Sequence, residues 1–248
     1  MKRCRTIAVS IALTCLAAPV WAGLVTVDFN SLAHGEIATT QIPGLTISAE
    51  NPNREGFDLA IGFDTTVTGT EDFDLEGPPS RNWSGGNADV TENVGTMLIL
   101  AENNVDRNED GLIDRPDDEG HRPAGTLRFD FDFAIQAIGF DLIDIEGVGV
   151  GEEPGDFATF WNGGTALGTV QFADFLAGGS HDQGAQFGDH TLNRVAPIGG
   201  FGPFNRVDIN LGGSGAVDNL VYQTPAPGAA LLVALGLAAL GVFGNKRR

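Results

Sequence analysis

The residues best suited to chemistry lie in an acidic stretch, 106–118, where oxygen-bearing side chains recur at regular intervals. With Asp106 as position 1, such side chains fall at positions 1, 3, 5, 9 and 12, and a glycine takes position 6. The candidate ligands are the side chains of Asp106, Asn108, Asp110, Asp114 and Asp117, with the Leu112 carbonyl at position 7. A hard dication takes six to eight oxygens at short range, and a loop supplies them from alternate residues only where glycine permits a sharp bend. The spacing therefore predicts a Ca²⁺ site.

The segments on either side of this loop predict strands. The spacing is that of an EF-hand loop, but residues 97–100 before it and 126–133 after it have strand character. Pro116 at position 11 also disfavours a helix leaving the loop. The alternative is a solvated acidic loop, which is the usual fate of a charge run. The register of five ligand-type residues with Gly111 favours calcium, as a structural clip and not as a sensor.

A second acidic group precedes this loop in the chain. Asp64, Asp72 and Asp74 lie between predicted strands, with a spacing that matches no standard calcium loop. They are candidates for a second calcium site or for ligands that converge on the first, and a solvated surface explains them equally well. A weaker group of the same kind comprises Asp141, Asp144 and Glu146.

Aromatic residues raise the alternative of carbohydrate binding. Trp83 lies among loop-forming residues and is the leading candidate to stack on a sugar ring, ahead of Trp161 and Tyr222. Core packing is the commoner fate of aromatic residues in a β-protein.

Enzymatic activity is not predicted. After residue 22 the chain has no cysteine, and it contains neither His-Glu-x-x-His nor Gly-x-Ser-x-Gly. No pair of carboxylates stands out among its many acidic residues, so a secreted glycan hydrolase is the least favoured alternative.

The first 22 residues predict a secretory signal peptide. They have a basic start, an apolar run over 7–18, and small residues at positions −3 and −1, Val20 and Ala22, which predicts cleavage before Gly23. Both cysteines, Cys4 and Cys15, lie in this segment. The exported protein then has no disulfide, and its stability must come from its core, from metal, or from both.

The other end of the chain predicts a membrane-directed tail. Pro225, Ala226 and Pro227 precede an apolar run over 228–243, and three basic residues close the chain. This arrangement resembles the PEP-CTERM sorting signal of bacterial surface proteins, with Ala226 in place of the usual glutamate. The resemblance implies recognition by an exosortase-type sorting enzyme, transient anchoring in the inner membrane, and delivery to the cell surface or the exopolysaccharide matrix. It predicts a destination and no activity.

Without the two ends, the chain is strongly acidic. Eight arginines and no lysine remain against 33 acidic residues, a net charge of −25. Such a surface repels nucleic acid and attracts divalent cations.

Short β-branched and aromatic runs recur along 23–223, separated by turn residues. They predict an all-β domain, an antiparallel, jelly-roll-like β-sandwich. The segment 217–222, at the end of the predicted domain, is similar to the last strand of jelly-roll modules in secreted surface and carbohydrate-binding proteins. The sequence thus predicts an exported, calcium-binding structural or adhesive protein, with a carbohydrate-binding module for matrix polysaccharide as the alternative.

Overall fold

The fold is built from ten strands, and the computed structural model describes residues 23–148 and 155–223. The predicted signal peptide (1–22) and sorting tail (224–248, including Pro225, Ala226 and Pro227) lie outside the described residues. The strands are β1 (Leu24–Val27), β2 (Leu45–Glu50), β3 (Ala60–Asp64), β4 (Gly85–Gly86), β5 (Thr96–Leu100), β6 (Gly125–Ile143), β7 (Phe157–Asn162), β8 (Thr165–Gln171), β9 (Thr191–Leu211) and β10 (Ala216–Gln223). Short 3-10 turns cover Phe73–Leu75 and Phe172–Phe175. In this part of the chain no helix is long and apolar enough to cross a membrane.

All ten strands belong to one connected sheet. Its main path runs β3-β5-β10-β6-β9-β7-β8, with β1 paired to β10, β2 to β6, and β4 to β9. Every strand pair is antiparallel except the short β4–β9 pair. The predicted all-β, antiparallel class is therefore confirmed.

The long strand β6 shows how the sequence builds the sheet. In its first half Leu127, Phe129 and Phe131 are buried and alternate with Arg128 and Asp130, because successive strand residues point to opposite faces. Register shifts then interrupt its pairing with β9. In the second half of the strand, the buried, even-numbered apolar residues Ile138, Phe140 and Leu142 join the same core as the first half. Bulges of this kind keep the strand continuous while they change which residues face inward.

The core can be tested with a small truncation. Ile47 on β2 is 3% exposed, so Ile47→Val leaves a methyl-sized defect and is expected to destabilise the protein by about 1 kcal/mol. Leu24 is 66% exposed, so Leu24→Ala, although a larger truncation, is expected to have the smaller effect. Urea unfolding of both variants measures the difference. Equal losses would contradict this assignment of the core.

Candidate metal centre

The loop 106–118 is wound around its own side-chain oxygens. The Asp106 carboxylate accepts the amide of Asp110 at 3.3 Å and that of Gly111 at 2.9 Å, and the Asp110 carboxylate accepts the amide of Leu112 at 2.9 Å. Gly111 has φ +85, with open space where a side chain would begin, so glycine is needed there for its backbone conformation. Each carboxylate oxygen keeps a further lone pair, which a cation can use.

Two other predicted ligands belong to the same network. The Asn108 side chain accepts the Asp110 amide at 3.2 Å and donates to the Asp110 carboxylate at 2.9 Å. Asp114 accepts the Arg107 amide at 2.8 Å, which closes the loop from its far side. The structure therefore joins the residues at positions 1, 3, 5 and 9 within one compact turn.

Backbone contacts attach this loop to the sheet. Ile113 is buried and donates its amide to the Gly35 carbonyl at 2.8 Å, while the Gly35 amide donates to Gly62 on β3 at 2.7 Å. A Cβ on Gly35 would lie 2.4 Å from the Ile113 carbonyl oxygen, so only glycine allows this approach. The apolar residue at position 8 thus fixes the loop against the strand.

The position-12 residue, Asp117, lies in a second cluster formed with the 64–76 segment. Asp72, Asp117 and Asp118 each place a carboxylate oxygen within 4.8 Å of the other two. Asp118 is buried and accepts the amide of Gly215. In Asp72, Oδ2 is buried and has no hydrogen-bond partner among residues 23–148 and 155–223. The two predicted acidic segments therefore meet, and we call this cluster the acidic triad.

The acidic triad disfavours its own ionised state. Burial, followed by the charges of Asp117 and Asp74, raises the pKa of Asp72 to about 7. Burial and the Asp72 charge likewise raise the pKa of Asp118 well above its usual range. Burial is also the main reason that the pKa of Asp144 rises to about 8, with further contributions from Asp72 and Asp74. A dication would relieve this accumulation of charge, since buried charges are normally paired or bound to metal.

The other members of the predicted second site have different partners. Asp64 accepts the amide and the hydroxyl of Thr66, at 2.9 and 2.7 Å. Asp74 lies 3.3 Å from Arg81 and acts on the acidic triad only through its charge. Sequence reasoning missed Asp118 as a site residue, although it directly follows position 12.

Contacts besides the acidic triad connect the two acidic segments. Arg115 forms an ion pair with Glu71 across them. Beside this pair lies a groove of about 210 Å³, bordered by charged residues that include Arg54, Glu102 and Asp114. Its lining is suited to ions and water and not to an apolar ligand.

Trp83 requires a correction. It is 2% exposed, its indole N–H donates to the Glu92 carbonyl at 2.9 Å, and its ring packs on His190 with centroids 4.9 Å apart. A ring covered in this way has no face to offer a sugar, so the prediction of Trp83 as a glycan-binding residue is wrong. Tyr222 is also buried, and Arg206 lies over the Trp161 ring at 4.3 Å.

Similarity to known proteins does not help to interpret these sites. No protein-family model matches the chain, and neither curated proteins nor solved structures give a significant match.

Proposed function

We propose that the protein is an exported, non-enzymatic, calcium-binding structural or adhesive component of the cell surface or the exopolysaccharide matrix. The observation that carries this proposal is the acidic triad, in which the buried, unpartnered Oδ2 belongs to Asp72 and two further carboxylates lie close by. Carboxylate oxygens are the ligands of hard cations, and Ca²⁺ tolerates the irregular geometry that converging loops provide.

The calcium-loop spacing supports the same ion. Asp106, Asn108, Asp110 and Asp114 lie in one wound loop, which continues directly into Asp117 and the acidic triad. Calcium bound here would join the 64–76 and 106–118 segments and bring rigidity to a domain without disulfides.

The proposal extends to a two-layered, jelly-roll-like sandwich. Apolar residues from both halves of β6 and β9 join one core cluster, as expected if the bulges fold the sheet over on itself. The resemblance of the tail to a sorting signal supports the destination, with an exosortase-type enzyme and matrix polysaccharide as partners. Carbohydrate binding as the main activity is less well supported, because its leading candidate residue, Trp83, lies in the core.

Calcium titration of the purified full chain by calorimetry tests this function. Asp72→Asn is expected to weaken binding at the acidic triad at least about tenfold, because it removes one charged ligand from a site that has few ligands to spare. The matched control is Asp132→Asn, an exposed acidic residue of β6, which should bind as the wild type does. An unchanged titration for Asp72→Asn, or no binding by the wild type, would refute the proposal.

A further inference from the structure

A further buried carboxylate with an unpartnered oxygen lies on β10, and it is not part of the acidic triad. Asp218 is fully buried, and its Oδ2 accepts a hydrogen bond from the Asn219 side-chain amide at 3.1 Å. Its Oδ1 is also buried and has no hydrogen-bond partner in the described part of the chain. An unsatisfied buried carboxylate oxygen is rare in folded proteins, and a bound ion or water is its usual explanation.

The arrangement of the strands surrounds Asp218 with negative charge. It lies opposite Asp141 on β6, and the Asn219 amide also donates to Asp141 at 2.9 Å. Val27, the last residue of β1, pairs with Leu220, so the next residue, Asp28, contributes its charge at Asp218 as well. A register shift follows Asp218 on β10, and Asn219 has φ +48 there.

In the described part of the chain, the cation that acts on Asp218 is Arg194, and it is already paired. Arg194 on β9 forms two hydrogen bonds with Asp141, at 2.9 and 2.8 Å, and a third with Glu92 at 2.8 Å. Among the described groups named here, four carboxyl groups, those of Asp28, Glu92, Asp141 and Asp218, share this neighbourhood with the single positive charge of Arg194. The charge of Arg194 favours the ionised form of Asp218, but it acts less strongly than the opposing charges of Asp141 and Asp28.

A proton or a cation can remove the buried charge of Asp218. Burial raises the pKa of Asp218 well above its usual range, and the charges of Asp141 and Asp28 act in the same direction, while the Asn219 backbone N–H acts against them. A proton on Oδ1 would remove the charge, but it would make this oxygen a donor that needs an acceptor of its own. A cation satisfies the oxygen and the local charge together.

We propose that Asp218 and Asp28 hold a hard dication of the Ca²⁺ class between the first and last strands of the domain. Backbone oxygens and water would complete the six to eight ligands that such an ion takes. The ion would fasten β1, which has only four residues, to β10 near the point where the chain leaves the domain. This site shares no residue with the acidic triad and does not depend on it.

Native mass spectrometry of the full chain in calcium counts the bound ions. Asp218→Asn keeps the shape of the side chain and is expected to lower the count by one, both in the wild type and in an Asp72→Asn background. Asp132→Asn is the control and should leave the count unchanged. An unchanged count for Asp218→Asn in both backgrounds would overturn the proposal.

Asp28→Asn provides a second test that does not alter a buried residue. Asp28 is exposed, and its Oδ1 accepts the Asn30 amide at 3.2 Å, a bond that asparagine can also make. We expect calcium affinity at this site to fall about tenfold, as follows from removing one charge from a small ligand set. If Asp218→Asn does not fold, the Asp28→Asn variant decides. The site is refuted if that variant binds as many calcium ions as the wild type and with the same affinity. Loss of an ion in Asp218→Asn but not in Asp72→Asn would support this site and refute the acidic triad.

Discussion

Removing calcium is expected to lower the melting temperature of the protein by roughly 5–10 °C for each ion lost. Extracellular calcium modules bind with dissociation constants on the order of 10⁻⁴ M. Calcium at about 10 mM then stabilises the folded state by about 2.7 kcal/mol per site, and a domain of about 200 residues gains about 2–4 °C per kcal/mol. Differential scanning calorimetry in calcium and in chelator measures this shift. No disulfide can hide it, because both cysteines lie within residues 1–22.

Two controls assign the shift to the acidic triad. Magnesium should give a smaller shift, because Mg²⁺ demands a regular octahedron and releases its water reluctantly. Asp132→Asn should keep the full shift, whereas Asp72→Asn should lose the part that comes from the acidic triad. Equal midpoints with calcium and with chelator in the wild type would contradict calcium stabilisation.

Strand positions were predictable where apolar and polar residues alternate, as in β6 around Phe129. The sequence predicted a strand over 126–133, whereas the structure has one long strand over Gly125–Ile143, because the local pattern does not show that bulges keep the chain paired with β9. The first half of β9 has no clear strand pattern in the sequence, because Pro197 and Gly199 resemble turn residues. In the structure a Cβ at Gly199 would lie 2.6 Å from the Gln136 carbonyl oxygen, so this glycine permits a close approach between strands.

The candidate site, too, was predictable from the sequence only in part. The loop spacing is local in the chain and could be seen in the sequence, whereas the contact of Asp72 with Asp117 depends on how two distant segments pack. Trp83 was misjudged because glycine and asparagine neighbours indicate a loop but do not indicate whether that loop is covered. Its burial comes from packing on His190, more than 100 residues later in the chain.

Without calcium, the protein is expected to lose stability as the pH rises from 5 to 8. Asp72 has a pKa near 3.8 in the unfolded chain and about 7 in the folded protein. Its contribution is therefore fully present below pH 3.8 and is lost as the pH rises toward 7, because the folded state binds the proton more tightly. Asp144, with its pKa raised to about 8, extends the loss to higher pH. At about 1.4 kcal/mol per pKa unit, the Asp72 shift alone corresponds to about 4 kcal/mol.

One histidine opposes this trend. Burial lowers the pKa of His34 from 6.5, so its contribution to stability improves as the pH rises toward that value. It is a single, partly buried group, whereas Asp72, Asp118 and Asp144 all act in the other direction. The net expectation in chelator is therefore a falling melting temperature, measured at intervals between pH 5 and pH 8.

Calcium should reverse the disadvantage of high pH, because its ligands must be deprotonated and protons compete with it. The curves with calcium and with chelator should converge near pH 5 and separate toward pH 8. Asp72→Asn is the informative variant, since a neutral amide removes both the repulsion and a calcium ligand. In chelator at pH 8 it should melt above the wild type, and in calcium its advantage should shrink or reverse. A melting temperature that rises with pH in chelator, or an Asp72→Asn protein less stable there than the wild type, would show that the acidic triad is not a strained metal site.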